Sequence, residues 1–422
     1  MIRIIRLLIL IQLVFGFFAC HPDPPDCINP PCNPNPVDTS KKGDTNIVWQ
    51  YNADTLRNSC ISMTPILYKN TVLFSRRGTD IADGFLMFDK KNGALLNTYF
   101  DPTSQNWKTG EIYQYNNLCA ITDWYEIYFL DLATNQFLHK INLRNLGYDG
   151  RPRIGGNEEW LYIPVEENSN PKHDYANTWI RINMIYYKME EILTIEDKGS
   201  FEAGFESLAF WKNPKGEQIM FFQNRQYNFK NRERRIDLYA YNMALGKMEW
   251  QVDSFTITGN TSVFPIIVKE DRLYFQSSNE AFCFSCHDGS LIWNRYFPGE
   301  GFFRANAILA EGKYILKSES DQMFAMDEYT GKEVWVNENA GSSQSNMVYH
   351  KGYVYYETDQ DGLGVIRRIR VSSGQYDWTY FPSNYARYSN ASFGLSGIAI
   401  DPETDYLYSN DRIFHMCIRL PK

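Results

Sequence analysis

Four segments of this chain align without a gap: Tyr241 to Trp250, Phe284 to Trp293, Met326 to Trp335 and Ile369 to Trp378. Each places a Gly four residues before a Trp, as Gly246/Trp250, Gly289/Trp293, Gly331/Trp335 and Gly374/Trp378. Gly supplies the positive φ that a tight hairpin needs. The flanks alternate or run apolar for a few positions, as strands do. Three weaker copies precede these. Gly93 keeps the turn, Asn135 stands where the next best left-handed residue is expected, and Tyr187 stands in for Gly in the third. The turn positions 93, 135, 187, 246, 289, 331 and 374 are spaced 42, 52, 59, 43, 42 and 43 residues apart. A period near 42 with about four short strands per unit fits a propeller blade.

The eighth unit is split between the chain ends. Strand patterns follow Gly374 at Ser396-Gly397-Ile398-Ala399-Ile400, Tyr406-Leu407-Tyr408 and Phe414-His415-Met416-Cys417-Ile418. The outer strand missing there is found at Ile47-Val48-Trp49-Gln50-Tyr51, with the expected Trp. Sharing one blade between the two ends removes two unpaired edges. The expectation is an all-β, eight-bladed propeller of four-stranded antiparallel blades over residues 46–422, its last blade closed by an N-terminal strand. An aromatic content of 16% suits so many strands.

The Gly-to-Trp pattern resembles the pyrroloquinoline-quinone-like repeat of quinoprotein-type propellers. The resemblance implies that the repeated Trp docks blade to blade, a role that falls on Trp49, Trp250, Trp293, Trp335 and Trp378. Asn97, His139 and Glu191 depart from the pattern, so those three blades are expected to pack differently. The family's dehydrogenases hold a quinone and calcium, with a bridged pair of adjacent Cys and an Asp base. This chain has no Cys-Cys dipeptide, and Asp359-Gln360-Asp361-Gly362 lacks a full calcium-loop spacing. Cys283-Phe284-Ser285-Cys286-His287 has the form of a haem c attachment site. The repeat register sets it across a strand end, where residues three apart face opposite ways. No cofactor is therefore expected. The six His are scattered, and neither a Gly-x-Ser-x-Gly elbow nor a phosphate loop is present. The chain reads as non-enzymatic, with a quinone-dependent or other enzyme as the least supported alternative.

The N-terminus carries Arg3 and Arg6 and then an apolar run from Leu7 to Ala19, the shape of a secretory signal. Phe17-Phe18-Ala19-Cys20 resembles a lipobox, which implies lipidation at Cys20. Residues 1–19 are expected as signal peptide and 20–45 as a Pro/Asp/Asn-rich tether containing Cys27 and Cys32. Their disulfide state stays open. The usual lipoprotein sorting pattern, with His21 after the Cys, points to the outer membrane. The whole chain carries −8, and −10 without the two signal arginines, a balance that argues against nucleic acid as a partner. The propeller family includes a lipoprotein of the outer-membrane β-barrel assembly machinery, and lipobox plus eight blades resembles it in architecture.

The long spacings localise two insertions between the second and third strands of consecutive units, at 166–178 and 224–235. Shorter additions at 76–84 and 359–364 fall on the same face. The second insertion concentrates Arg225, Tyr227, Phe229, Arg232, Arg234 and Arg235. Arg and aromatic residues are the types enriched in binding hot spots. They are the candidate partner-binding residues of an envelope scaffold anchored by Cys20. Trp107, Phe205, Phe302 and Phe303 are expected near the funnel mouth, where they would serve the alternative reading of a glycan- or small-ligand-binding propeller.

Overall fold

The computed structural model describes residues 46–52, 64–76, 84–100, 112–123, 125–150, 154–167, 176–196, 202–228, 230–256, 266–277, 279–302, 307–342, 345–360, 363–382, 393, 397–411 and 413–422. All lie in the compact unit Pro36–Lys422. The signal segment, Cys20, the tether, Trp107, Phe229 and Phe303 lie outside the described residues.

Eight antiparallel sheets follow one another along the chain. They form a ring, an eight-bladed β-propeller. Blade 1 comprises Ile66–Tyr68, Thr71–Arg76, Gly84–Asp89 and Leu95–Phe100. Blade 5 comprises Ile267–Lys269, Arg272–Gln276, Glu280–Ser285 and Leu291–Tyr296. In blades 1, 2 and 4 to 7 the strands pair in chain order. The short first strands of neighbouring blades touch, as Gly155–Asn157 of blade 3 touches both Ile112–Tyr115 of blade 2 and Glu202–Lys212 of blade 4. They therefore line the axis, and the last strands form the rim. Blade 3 departs from four strands, because Tyr148–Gly150 and Gly155–Asn157 both pair with Trp160–Glu167.

The ring closes as the sequence predicts. In blade 8, Ile47–Asn52 pairs with Phe414–Arg419, setting Trp49 opposite Cys417 and Tyr51 opposite His415. The first strand of that blade, Ala399–Asp401, touches Ile66–Tyr68 of blade 1.

The second strands explain why the blades pack. Their second and fourth residues face the preceding blade, and the third faces the following one. Leu273 and Phe275 of blade 5 thus join Phe221 and Leu238 of blade 4 in one core, while Tyr274 joins Tyr314 of blade 6 in the next. Every seam between blades is a hydrophobic core of this kind, and its aromatic content supplies much of the buried apolar surface.

At the turn end of four seams the Trp of one blade lies on the Gly of the next. A Cβ on Gly93, Gly289, Gly331 or Gly374 would come within 2.5–2.7 Å of Trp49, Trp250, Trp293 or Trp335. Each indole donates to a carbonyl three residues before that Gly: Trp49 to Lys90 at 2.9 Å, Trp250 to Cys286 at 3.0 Å, Trp293 to Glu328 at 3.0 Å and Trp335 to Val371 at 2.8 Å. The Gly is thus required twice, for its left-handed φ and for its missing side chain. Trp378 meets no such Gly. It packs in a cluster that includes Leu407 and Ile418 of blade 8, with Tyr380 stacked 5.8 Å away.

The three departing blades do pack differently. Asn97 donates to the carbonyl of Asn135, and Tyr99 stacks on Phe137 at 4.4 Å. His139 stacks on Tyr187 at 4.3 Å, so an imidazole and a phenol replace the indole and the glycine. Glu191 takes the hydroxyl of Tyr148, and Gly246 is left with nothing nearer than the Tyr241 hydroxyl at 3.7 Å.

Candidate interaction surface

Opposite the Trp–Gly end, the second strand turns polar in all blades but blade 3. Counted from the residue paired with the start of the hairpin turn, its fifth position holds Ser75, Thr122, Pro164, Gln223, Gln276, Lys317, Glu357 and Asn410. Seven of these are polar, and all seven are buried. Buried polar groups must find partners. Tyr314 donates to Gln276 across the seam at 2.7 Å, and Ser409 donates to Glu357 at 2.5 Å. The Lys317 amine donates to the carbonyls of Ser318 and Ser320 at 2.6 and 2.7 Å. Burial pulls its pKa down to about 7. Asp411, one residue beyond Asn410, caps its turn by accepting from the amides of Ile413 and Phe414. Burial pushes its carboxyl up to about 6.

Above this belt blade 4 rises as a wall. Its strands Glu202–Lys212, Gln218–Asn228, Glu233–Asn242 and Lys247–Thr256 are ten or eleven residues long. The second strand of blade 5 ends at Gln276, level with Gln223. Asn224–Asn228 therefore stands about 16 Å higher, at ~3.3 Å per residue. The insertion at 224–235 is consequently not a loop. Its strands stay paired without a break from Ile219/Asn242 to Asn228/Glu233. The alternation expected of strands, rather than loop irregularity, decides where its side chains go.

That alternation divides the candidate residues. Arg225 and Tyr227 share the face that looks toward blade 5, with Arg234 opposite Tyr227 and its guanidinium 5.3 Å from the ring centre. Arg235 lies on the other face, where it pairs with Glu233 at 2.7 Å. Arg232 sits exposed in the turn with φ 59°. The face toward blade 3 is polar and buried. Gln226 and Tyr239 donate to one oxygen of Asp237 at 2.6 and 3.1 Å, and the amide of Ser254 to the other at 2.9 Å.

The funnel aromatics require a correction. Phe205 is 4% exposed and stacks on Trp179 at 5.3 Å; Phe302 is fully buried against Phe297 and Phe324. Neither presents a ring face to a ligand, because each fills a seam between blades.

With this geometry in place, comparison with known proteins becomes informative. Residues 234–396 match the family model described as outer membrane protein assembly factor BamB. BamB from Moraxella catarrhalis is 10% identical, with 89% of this chain covering 97% of that one at a TM-score of 0.57. The quinohemoprotein alcohol dehydrogenase from Comamonas testosteroni is 10% identical, with 89% of this chain covering 77% of that one at 0.61. Saccharomyces cerevisiae Sqt1 is 8% identical, with coverages of 88% and 98% at 0.60. No curated protein matches the chain.

This is an eight-bladed β-propeller whose residues 234–396 match a PQQ-like repeat family. Relatives of so low an identity establish the fold, and they include enzymes and non-enzymes alike. In this propeller the haem-type motif is folded into blade 5. Cys283 and Cys286 are buried, and burial pushes the Cys283 thiol up to about 11. Cys283 packs into the core between blades 5 and 6, and Cys286 into the core between blades 4 and 5. Among the described residues no group of three or more His, Cys, Asp and Glu is arranged to hold a metal. Asp359 lies in strand Tyr353–Gln360 and bridges to Ser342, while Asp361 and Gly362 lie outside the described residues. The polar belt is the feature that single-motif reading overlooks. Aligning the repeats on their second strands, rather than on their turns, brings it out.

Proposed function

We propose that this chain is a membrane-anchored, non-catalytic propeller lipoprotein that serves as a protein-interaction scaffold in the bacterial cell envelope. Cys20 holds it to the outer membrane, and the raised hairpin of blade 4 receives the partner. The observation that carries the reading is that hairpin: a rigid four-stranded wall displaying Arg225, Tyr227 and Arg234 on one face. Rigid elements bearing Arg and Tyr lose little entropy on docking. The family match, to a protein described as an outer membrane assembly factor, supports the same setting.

The test uses the full chain in intact envelopes. A photo-crosslinking residue at position 234 is expected to give a discrete protein adduct, and one at position 295, on the rim of blade 5, is not. Replacing 229–232 by a two-residue turn and removing 224–228 with 233–235 should abolish the adduct's partner from affinity capture. Capture that survives this trimming refutes the docking wall. Retention of Cys20→Ser in the membrane fraction after high-salt washing refutes the anchor.

A further inference from the structure

The partner's chemistry can be read from the step between blades 4 and 5. By strand alternation two buried polar side chains face that seam, one from each blade. Gln223, at the fifth position of its strand, faces blade 5. Ser277, at the sixth position of the neighbouring strand, faces blade 4. Both are buried, at 1% and 2% exposure. Among the described residues neither amide atom of Gln223 has a hydrogen-bond partner, and the Ser277 hydroxyl has none. Leaving such groups buried and unpaired is costly, so their retention calls for a partner.

Directly above Gln223 on the same face come Arg225 and then Tyr227, with Arg234 beside it. The hairpin segment 224–235 holds five cations, Arg225, Lys230, Arg232, Arg234 and Arg235, and one acid, Glu233. That acid is already engaged by Arg235 and Asn231. The rest of the chain is acidic, so this hairpin segment is a local positive patch on a negative body. Blade 5 ends its hairpin at Ser277 and Glu280, where the Ser277 amide donates to the Glu280 carbonyl at 2.8 Å, and it raises no matching wall.

We propose that this step binds an acidic, extended peptide segment of a partner protein, whose carboxylates meet Arg225 and Arg234 and whose backbone reaches the Gln223–Ser277 foot. Gln223 leaves both a donor and an acceptor open. A peptide backbone offers both an N–H and a C=O at a fixed spacing, whereas a bare phosphate or sulfate group offers acceptors to the donor only. That asymmetry favours a peptide backbone over a bare phosphate or sulfate. The inference rests on reading blade 4 as the partner-binding wall, and it adds the sign and form of what binds.

The experiment is fluorescence anisotropy of the full chain with a labelled peptide containing six consecutive glutamates, at low and at physiological salt. A hexalysine peptide, heparin and phosphatidylglycerol vesicles serve as competing probes. The glutamate peptide should bind, weaken with salt, and lose about tenfold or more in affinity in Arg225→Ala/Arg234→Ala. Gln223→Leu should weaken it about threefold to tenfold while leaving thermal stability unchanged or higher. If that variant does not fold, Ser277→Ala takes its place. Arg295→Ala should have no effect. No binding of the glutamate peptide, or equal affinity in Gln223→Leu, overturns the inference. So does tighter binding of heparin or vesicles with the same dependence on Arg225 and Arg234. A crosslinked partner at position 234 whose capture ignores these charge changes would leave the scaffold standing and remove only the acidic segment. Peptide binding without any crosslinked partner would do the reverse.

Discussion

Gly331 and Gly246 occupy the same place in their repeats, two blades apart, and have nearly the same backbone, with φ of +66° and +64°. They differ in what lies above them. A Cβ on Gly331 would sit 2.7–2.9 Å from three atoms of Trp293, whereas a Cβ on Gly246 would meet only the Tyr241 hydroxyl at 3.7 Å. Gly→Ala at either site carries the left-handed penalty of roughly 1–2 kcal/mol. At 331 the indole must also lift away. That sacrifices its 3.0 Å bond to the Glu328 carbonyl, about 1 kcal/mol, and repacks a core containing Tyr274, Tyr314 and Phe324, roughly 1–3 kcal/mol more. Gly246→Ala should therefore cost about 1–2 kcal/mol and Gly331→Ala about 3–6 kcal/mol by the same sum. Urea unfolding followed by far-UV circular dichroism measures both. A double variant with Trp293→Ala should cost less than the two single changes added, because the clash disappears with the ring. Equal destabilisation at 246 and 331 would refute the idea that the glycine makes room for the indole.

Other expectations follow from buried groups. Asp411 has its folded pKa raised from 3.8 to about 6, so the folded chain holds more protons than the unfolded one between these values. Stability from this group is present below pH 4 and is lost as pH rises through 6. Asp411→Asn keeps an acceptor for the Ile413 and Phe414 amides, and should raise the melting temperature at pH 7 while flattening that slope. Lys317 shows the opposite sign. Its folded pKa is lowered from 10.5 to about 7, so stability should climb as pH rises from 7 toward 10.5, by up to about 1.4 kcal/mol per unit. Lys317→Met should abolish the climb in pH-dependent melting. Burial pushes the Cys283 and Cys417 thiols up to about 11 and about 12, so neither should react with a maleimide at pH 7.5 until denaturant is added.

The ring was legible because its grammar is local. A Gly with positive φ and a Trp four residues on recur at a near-constant period, and Trp49 finds its place by the same rule. Blades 1–3 were harder to read because their seams use other chemistry: Asn97 on a carbonyl, His139 on Tyr187, Glu191 on Tyr148. The hairpin at 224–235 was legible as an insertion but not as strand, since its apolar/polar alternation is masked by polar residues on both faces. Gln226 and Asn228 are buried, Gln226 on Asp237 of the next strand, which no local pattern announces. Phe205 and Phe302 failed as ligand residues for the same reason. Aromatic rings at the start of a blade serve its seam before they serve its funnel.

The placement of the wall is itself an argument for its use. Its blade 5 side stands over a seam fastened at the far end by Trp250, whose indole covers Gly289 and bonds the Cys286 carbonyl. On its blade 3 side Gly246 has no indole upon it. A ligand that pulls on the blade 5 face thus works against a fixed seam, and the entropy of holding the wall upright has already been met by folding. On the opposite face Gln226, Tyr239 and Asp237 satisfy one another and leave little for a ligand to gain. The same insertion placed one blade earlier in the ring would have lacked the lock beneath it. If hydrogen exchange of Asn224–Asn228 proved faster in Trp250→Ala, with the core strands of blade 5 unchanged, the lock and the wall would be shown to act as one unit. Exchange unaffected by that change would mean the wall stands by its own ladder alone.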